Sequence, residues 1–442
     1  MDYIEALEKL NTLTRFGINL GLQRITSLLR LFAHPEEQIP IIHIGGTNGK
    51  GSTLAMLSSI LQEAGYRVGT FTSPHLLSYR ERFMINGTEI SVVRLTELLE
   101  EILAVVSEVQ QETGENPTEF EILTALAFLY FAREKVDVAL IEVGMGGDID
   151  STNVVKKPLL SIVTNVSLEH TAYLGTTLTE IAQKKSGIIK QGCPVLTASD
   201  NGEVLKVLRK RAAACQASLG EIYKQVHWTV QEEKEQGGQV FSVQTAQGNY
   251  RELFLPFWGQ HQLANAVLAI RAAELLQEQG WHIDEQVIRR GLAQAKWPGR
   301  LEVIGTRPLV VIDGAHNPAG MAALAHWLAS KKSEVRRVIL VIGMLDDKDR
   351  SWAAGLIKPL VDLVVITKPN SERAQAWEEL RQYFGKENSG KEISVLVIED
   401  LSEALKKALQ EATAQDLVLV TGSLYLIGEV KELVQDKHLN TF

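Results

Sequence analysis

One stretch, Ile41-Ile42-His43-Ile44-Gly45-Gly46-Thr47-Asn48-Gly49-Lys50-Gly51-Ser52-Thr53, constrains this chain more than any other. An apolar, β-prone run empties into a glycine turn, and a helix-forming segment, 54–63, follows at once. Such a strand–turn–helix unit lets backbone N–H groups close around a phosphate chain at the positive end of the new helix. Lys50 can reach the outer phosphates, and Ser52 or Thr53 can face a Mg2+ carried by the nucleotide. The match to the general phosphate-loop pattern is incomplete, since Ile44 takes the place of the first glycine and Gly51 separates Lys50 from Ser52. A glycine turn with a lysine can be a mere tight connection. Strand, lysine, hydroxyls and helix in this order point instead to a nucleotide site.

The unit needs a sheet around it, and the rest of the chain supplies the pattern. Tyr66–Thr72, Val136–Ile141 and Leu159–Val166 are further apolar runs, the last two too apolar for a sheet wetted on one face. Helical periodicity covers 2–14, 22–33, 92–113 and 118–133. This rhythm predicts a doubly wound, mainly parallel α/β sheet. The polar stretch around Arg80-Glu81-Arg82 reads as a solvated loop. Between about Val226 and Phe254 the pattern turns to alternation with Gly237-Gly238 and Gly248, a small antiparallel β insertion. Helical stretches at 260–279 and 284–294 lead to Trp297-Pro298-Gly299-Arg300, which marks a domain boundary. The expected division is 1–297, which carries the nucleotide turn, and 298–442, a second α/β domain. Strands of the second domain are expected at Leu309–Ile312, Val338–Ile342, Leu363–Ile366, Val395–Ile398 and Leu417–Val420.

Composition narrows the partners. With 442 residues the chain is too long for one core. A formal charge of −9 argues against a nucleic-acid groove, which needs clustered Lys and Arg. No apolar run has the length of a membrane span, and Met1-Asp2-Tyr3-Ile4-Glu5 carries no signal-peptide core. Cys193 and Cys215 make neither a disulfide scaffold nor a zinc quartet, so a cytoplasmic setting is expected, with a monomer as default.

Further chemical groups stand at predicted strand ends, where open α/β sheets bind ligands. Glu142 closes an apolar strand ahead of Gly144-Met145-Gly146-Gly147 and can hold a nucleotide's Mg2+, or simply meet solvent. His170 follows another strand; nitrogen is a poor Mg2+ ligand, and a structural histidine is the plainer reading. Lys184-Lys185 ends a helix, where lysines complement the dipole. In Asp313-Gly314-Ala315-His316-Asn317-Pro318, Asn317 and Pro318 are explained as helix cap and first helical residue, which leaves Asp313 and His316 for function. Asn265 is either a core amide or a purine reader.

Together these segments resemble the folylpolyglutamate synthase and dihydrofolate synthase family, a branch of the Mur ligases. The resemblance rests on Gly46–Ser52, Ser73-Pro74-His75-Leu76 with Arg80-Glu81-Arg82, Glu142–Gly147, Glu169-His170, Lys185-Ser186-Gly187-Ile188, Pro298-Gly299-Arg300 and Asp313–Pro318, in family order. It implies a large N-terminal P-loop ATPase domain, 1–297, an ATP-binding Mur-ligase-like unit, and a smaller Rossmann-like C-terminal domain, 298–442, with an active site in the cleft between them. Thr47, Asn48, Gly49, Lys50, Gly51 and Ser52 would wrap the ATP phosphates, and Ser73, Glu142 and His170 would hold Mg2+. Lys185 matches the lysine this family carbamylates, Asn265, Arg300 and Asp313 would contact ATP, and His316 would stand near the transferring phosphate. Asn19, Leu20, Thr118, Glu119 and Phe120 match segments that touch the pterin, and Asp150 lies in the substrate-side loop. In that loop Asp148 stands where the family often carries arginine, which bears on substrate choice.

The implied chemistry is an ATP-dependent amide ligation in which a carboxylate of folate or dihydropteroate becomes an acyl phosphate and the amine of L-glutamate captures it. Three other readings stand beside this bifunctional one: a folylpolyglutamate synthase alone, another Mur-type ligase, or a nucleotide switch ATPase. A ligase acting on UDP-sugar peptides would need an N-terminal domain for which the position of Lys50 leaves no room. A switch would need Lys50 but not His170, Lys185 or Asp313.

Overall fold

The structure, a computed structural model, describes residues 1–14, 21–235, 237–385 and 393–435. The chain divides into two compact units: Met1–Thr229, Ser242–Leu253 and Ala264–Lys296 form the first, and Val230–Phe241, Phe254–Leu263 and the chain from Trp297 onward form the second. Among the described residues no helix is long and apolar enough to cross a membrane.

The first unit is built on eight strands: β1 (Ile41–Gly45), β2 (Val68–Phe71), β3 (Phe83–Ile85), β4 (Thr88–Glu89), β5 (Val138–Glu142), β6 (Leu160–Val163), β7 (Val195–Thr197) and β8 (Leu219–Glu221). Their order is β4-β3-β2-β5-β1-β6-β7-β8. β1 runs parallel to β5 on one side and β6 on the other, with Ile44 beside Glu142 and Gly45 beside Val163. That register brings three strand ends level: the glycine turn, Glu142 and Thr164-Asn165. Chain order reverses around β1, and such a switch point opens a crevice at the carboxyl ends of the strands. The apolar runs explain the placement, since every residue of β1, β5 and β6 is buried.

Two departures from the sequence reading concern polar segments. The stretch around Arg80 is a single helical turn, Tyr79–Arg82, capped by Ser78 and Glu81, and it leads into the β3–β4 hairpin. Glu81 spends its carboxylate on the backbone N–H groups of Leu76, Leu77 and Ser78, so local capping, not solvation, absorbs its charge. The predicted helix 92–113 is broken at Val105 into Val92–Ala104 and Val106–Thr113.

The insertion forms a three-stranded sheet from β9 (His227–Glu233), β10 (Gln239–Gln244) and β11 (Asn249–Leu255), in the order β11-β10-β9. The second unit contains β12 (Glu302–Thr306), β13 (Leu309–Asp313), β14 (Val338–Ile342), β15 (Leu363–Ile366), β16 (Ser394–Val397) and β17 (Leu417–Thr421), in the order β12-β13-β17-β14-β15-β16. Only β12 pairs antiparallel, and its mixed, half-buried residues gave no strand pattern in the sequence. Alternate residues face alternate sides: Val311, Leu340 and Val364 pack with Trp327 and Leu328, whereas Val310, Ile339 and Val365 pack with Leu405 and Ile427. Both faces are therefore covered by helices, as unbroken apolar strands require.

Candidate active site

The turn after β1 is held from behind by the end of β6. Thr47 N–H donates to Asn165 O at 2.8 Å, and Asn48 N–H to Asn165 Oδ1 at 3.0 Å. Asn48 O accepts from Thr164 Oγ1 at 2.7 Å and Asn165 Nδ2 at 3.0 Å. Gly49 caps the helix Lys50–Glu63 in a left-handed conformation, φ 85°, and a Cβ there would lie 2.3 Å from Asn265 Oδ1. The first bond into this helix comes from Thr53 N–H to Gly49 O, so the amides of Lys50, Gly51 and Ser52 open the helix without intrahelical acceptors. Backbone donors at a helix start form a site for anionic oxygen. Asn265 is buried against this turn.

Charged side chains gather on the same loop. Lys50 Nζ donates to Thr47 O at 3.1 Å and lies 3.9 Å from Glu142 Oε1. Glu142 is buried, and its Oε2 accepts the Ser73 N–H at 3.3 Å. Lys185, 2% exposed, donates to Gly46 O at 2.8 Å. Burial draws the Lys185 ammonium down to about 8; Glu169 opposes that shift and Lys50 adds to it. Burial by itself would raise Glu169, but the His170 contact and the charges of Lys50 and Lys185 hold it at about 2. His170 has a left-handed backbone, φ 48°, and its Nε2 sits 3.1 Å from Glu169 Oε1. Of the sequence-derived metal donors, Ser73 and Glu142 are therefore brought together, whereas His170 contacts Glu169. Among the described residues, three His or carboxylate groups come within 4.8 Å of one another only at His34, Glu36 and Glu37.

Of the substrate-side candidates, Thr118, Glu119 and Phe120 open one helix, and Asp150 lies across Gly144 from the Phe120 ring. Thr118 caps the helix Glu119–Arg133 in a reciprocal box with Glu121, and Glu119 accepts the Tyr79 hydroxyl at 2.8 Å. Phe120 stacks on Phe71 with centroids 5.9 Å apart. A Cβ on Gly144 would come within 2.5 Å of Phe120 Cζ, so the loop after β5 lies flat against this ring. Asp150 is buried and faces its own loop, where Met145 N–H and Thr152 N–H donate to it at 2.8 and 3.0 Å. Asp148, at the departure from the family pattern, accepts Lys184 Nζ at 3.2 Å. Asn19 and Leu20 lie outside the described residues.

In the second unit, Asp313 ends β13 and is almost fully buried. Its Oδ2 accepts Leu301 N–H at 2.9 Å and its Oδ1 accepts Ala315 N–H at 2.9 Å. Burial pushes the Asp313 carboxyl up, against Arg300 and these two donors. Leu301, next to Arg300, is held in a left-handed conformation, φ 46°. His316 Nδ1 lies 2.8 Å from Gly314 O, and Asn317 caps the helix Pro318–Lys331 through Gly320 N–H.

Sequence reasoning gave no role to Thr164, Asn165 or Glu169, although Glu169 stands in a motif that carries the resemblance. The first two are legible in retrospect as a polar pair placed where the apolar run of β6 stops. The charge partners of Glu169 are not legible locally, because Lys50 and Lys185 arrive from distant segments.

Comparison with known proteins agrees with this architecture. The Mur ligase middle domain matches residues 44–273, and the Mur ligase glutamate ligase domain matches residues 299–424. The Bacillus subtilis dihydrofolate synthase/folylpolyglutamate synthase is 38% identical over 97% of this chain and 98% of its own length. A Mycobacterium tuberculosis folylpolyglutamate synthase complexed with ADP superposes with a TM-score of 0.89 at 33% identity, covering 98% of this chain and 99% of that one. The E. coli FolC structure in complex with DHPP and ADP gives 0.87 at 29% identity, covering 98% of both chains. Both family models, and a relative matched over nearly its whole length, give the family: the chain belongs to the folylpolyglutamate synthase/dihydrofolate synthase branch of the Mur ligases.

Proposed function

We propose that this chain is an ATP-dependent amide ligase that adds L-glutamate to folates and to 7,8-dihydropteroate. The observation that carries the reading is the convergence of Lys50, Glu142 and Lys185 on the turn after β1, in a family whose B. subtilis member is named for both activities. A carboxylate is not electrophilic at neutral pH. Its oxygen attacks the γ-phosphorus of ATP, ADP leaves, and an acyl phosphate results. The glutamate amine then attacks the acyl carbon, inorganic phosphate departs, and the amine loses its proton.

The protein's part is positioning and charge. Thr47 to Ser52 wrap the phosphates, with the open amides of the helix start aimed at their oxygens. Lys50 neutralises charge that grows on the transferring group. Asn265 is assigned to the nucleotide. From the second unit, Arg300 and Asp313 are assigned to ATP and His316 to the transferring phosphoryl group.

Mg2+ prefers oxygen donors, and a buried carboxylate, Glu142, beside Ser73 fits that preference. Ser73, Glu142 and His170 are the residues assigned to hold it, and the bound ion would neutralise phosphate charge. Lys185 is the residue assigned to carbamylation: its lowered pKa leaves neutral amine near pH 8, which adds CO2 and releases a proton. Thr118, Glu119, Phe120 and Asp150 line the side assigned to the pterin, with the Phe120 ring as a stacking face. Asn19 and Leu20 complete that assignment from sequence. The reading includes the division at 297/298, a monomer and a cytoplasmic setting.

Mass spectrometry of products tests it. Dihydropteroate and tetrahydrofolate are each supplied with ATP, Mg2+ and L-glutamate. The expected result is a glutamate adduct from both. A product from tetrahydrofolate alone would leave a folylpolyglutamate synthase, and ATP turnover indifferent to both would overturn the ligase reading.

A further inference from the structure

We propose that His43 is a positioning residue for the substrate-side loop: through the Thr152 hydroxyl it fixes Asp150, and Asp150 fixes Gly144-Met145 against Phe120. The inference rests on the pterin-side assignment of Phe120 made above.

β1 is otherwise apolar up to its final glycine, and its fully buried histidine, 0% exposed, demands a physical reason. His43 Nε2 lies 2.8 Å from Thr152 Oγ1, and Thr152 Oγ1 lies 2.5 Å from Asp150 Oδ1. The direction of this chain is set at His43. Its Nδ1 is buried and meets no donor or acceptor among the described residues, so a hydrogen placed there would be a buried donor without an acceptor. Nε2 therefore carries the imidazole hydrogen and donates to the Thr152 hydroxyl, whose single hydrogen goes to Asp150. Burial pushes the Asp150 carboxyl up, against the Thr152 hydroxyl and the N–H groups of Met145 and Thr152 that it accepts. Burial, with Lys190 adding to it, also holds the His43 imidazole down to about 3, so the ring stays neutral in ordinary buffers.

The geometry gives this relay a consequence. β1 is clamped by parallel ladders on both sides and is a rigid reference within its unit. At the other end of the relay, a Cβ on Gly144 would meet Phe120 Cζ at 2.5 Å and Asp150 Oδ2 at 3.2 Å. Asp150 therefore sits behind the same backbone that supports the Phe120 ring. Loosening the relay shifts that support. The ATP turn is tied by other groups, Thr164, Asn165 and Lys185, and keeps its shape.

Steady-state kinetics on Thr152→Val, Thr152→Ser, His43→Leu and His43→Gln test the proposal. Serine keeps the hydroxyl, and glutamine keeps an N–H donor. Thr152→Val and His43→Leu are expected to raise KM for dihydropteroate or tetrahydrofolate about tenfold, with KM for ATP and kcat changed less than about twofold. Thr152→Ser and His43→Gln should return KM to within about threefold of the parent. An unchanged KM in the valine variant, equal losses in every parameter, or no recovery with serine would each overturn the proposal.

Nitrogen-15 NMR of the parent protein reads the relay without any variant or turnover. A protonated Nε2 and bare Nδ1, unchanged between about pH 5 and about pH 8, are expected; a protonated Nδ1 would overturn the relay. Parent protein that turned over neither pterin substrate would instead defeat the proposed function, while the nitrogen spectrum would still decide the relay.

Discussion

The ends of β1 and β13 invite comparison. Both are buried carboxyl ends of strands with a parallel neighbour, both break into a glycine-bearing loop, and both loops start a helix. They use charge in opposite ways. At β1 the loop backbone is tied down by neutral groups, Thr164 and Asn165, and by the Lys185 donor. The charged partners then stabilise one another, so Glu169 gains from being ionised. At β13 the acid itself ties the backbone. Both Asp313 oxygens accept buried N–H groups, and burial works against the ionised form. At one end an acid is held ionised among lysines; at the other, burial opposes the charge of an acid that accepts its loop's N–H groups.

The largest expected effect breaks the first site. Lys50→Ala should lower kcat by about a thousandfold or more, since it removes charge stabilisation from phosphoryl transfer. Circular dichroism and the melting temperature should stay near those of the parent, because Lys50 is not part of the apolar core. A variant with near-parental turnover would remove the β1 turn from the mechanism.

Acid should separate the two sites. Glu169 has a folded pKa of about 2, below its ordinary 4.5, so its contribution is present above about pH 4.5 and is lost as pH falls toward 2. Linkage sets an upper bound of about 3 kcal/mol for that loss, to be read from urea unfolding at stepped pH. Asp313 has the opposite sign: with its folded pKa raised, its contribution is greatest at low pH and declines as pH rises through the carboxylate range. Hydrogen exchange followed by peptide should show the 160–170 segment opening on the acid limb before the 309–316 segment. Simultaneous opening would erase the contrast.

Asp313→Ala sharpens the second site. It leaves two buried N–H groups without acceptors and releases the left-handed Leu301, for an expected loss of about 2 kcal/mol in urea unfolding. Lys50→Ala should show no comparable loss. A rise in KM for ATP should accompany the loss in Asp313→Ala, because Asp313 is also assigned to ATP; an unchanged KM for ATP would leave it a loop residue only.

The smallest effect tests the shape of the β1 turn. Gly49→Ala places a Cβ in a left-handed position against Asn265. About 1 kcal/mol of stability should be lost by thermal or urea unfolding, together with a rise in KM for ATP that leaves KM for the pterin substrate unchanged. Equal changes in both constants would mean that the turn and the Phe120 wall are not independent.

What the sequence determined alone was the scaffold and the glycine turn that carries Lys50. Strands buried on both faces must be continuously apolar, so β1, β5, β14, β15 and β17 announce themselves, and a glycine turn with Lys50 at a strand end is local in the chain. The cap roles of Asn317 and Pro318 were equally local. Tertiary structure alone decided the rest. The register that sets Glu142 beside the β1 turn, the Lys50–Glu169–Lys185 charge group and the His43–Thr152 hydrogen bond all join residues remote in sequence. Edge strand β12 and the capped turn at Tyr79–Arg82 escaped notice because half-buried or polar segments carry no strong periodicity. Local pattern encodes which face of an element is dry. Which charges meet is settled only when separate strands come to lie side by side, since a side chain's pKa and partners depend on its neighbours in space.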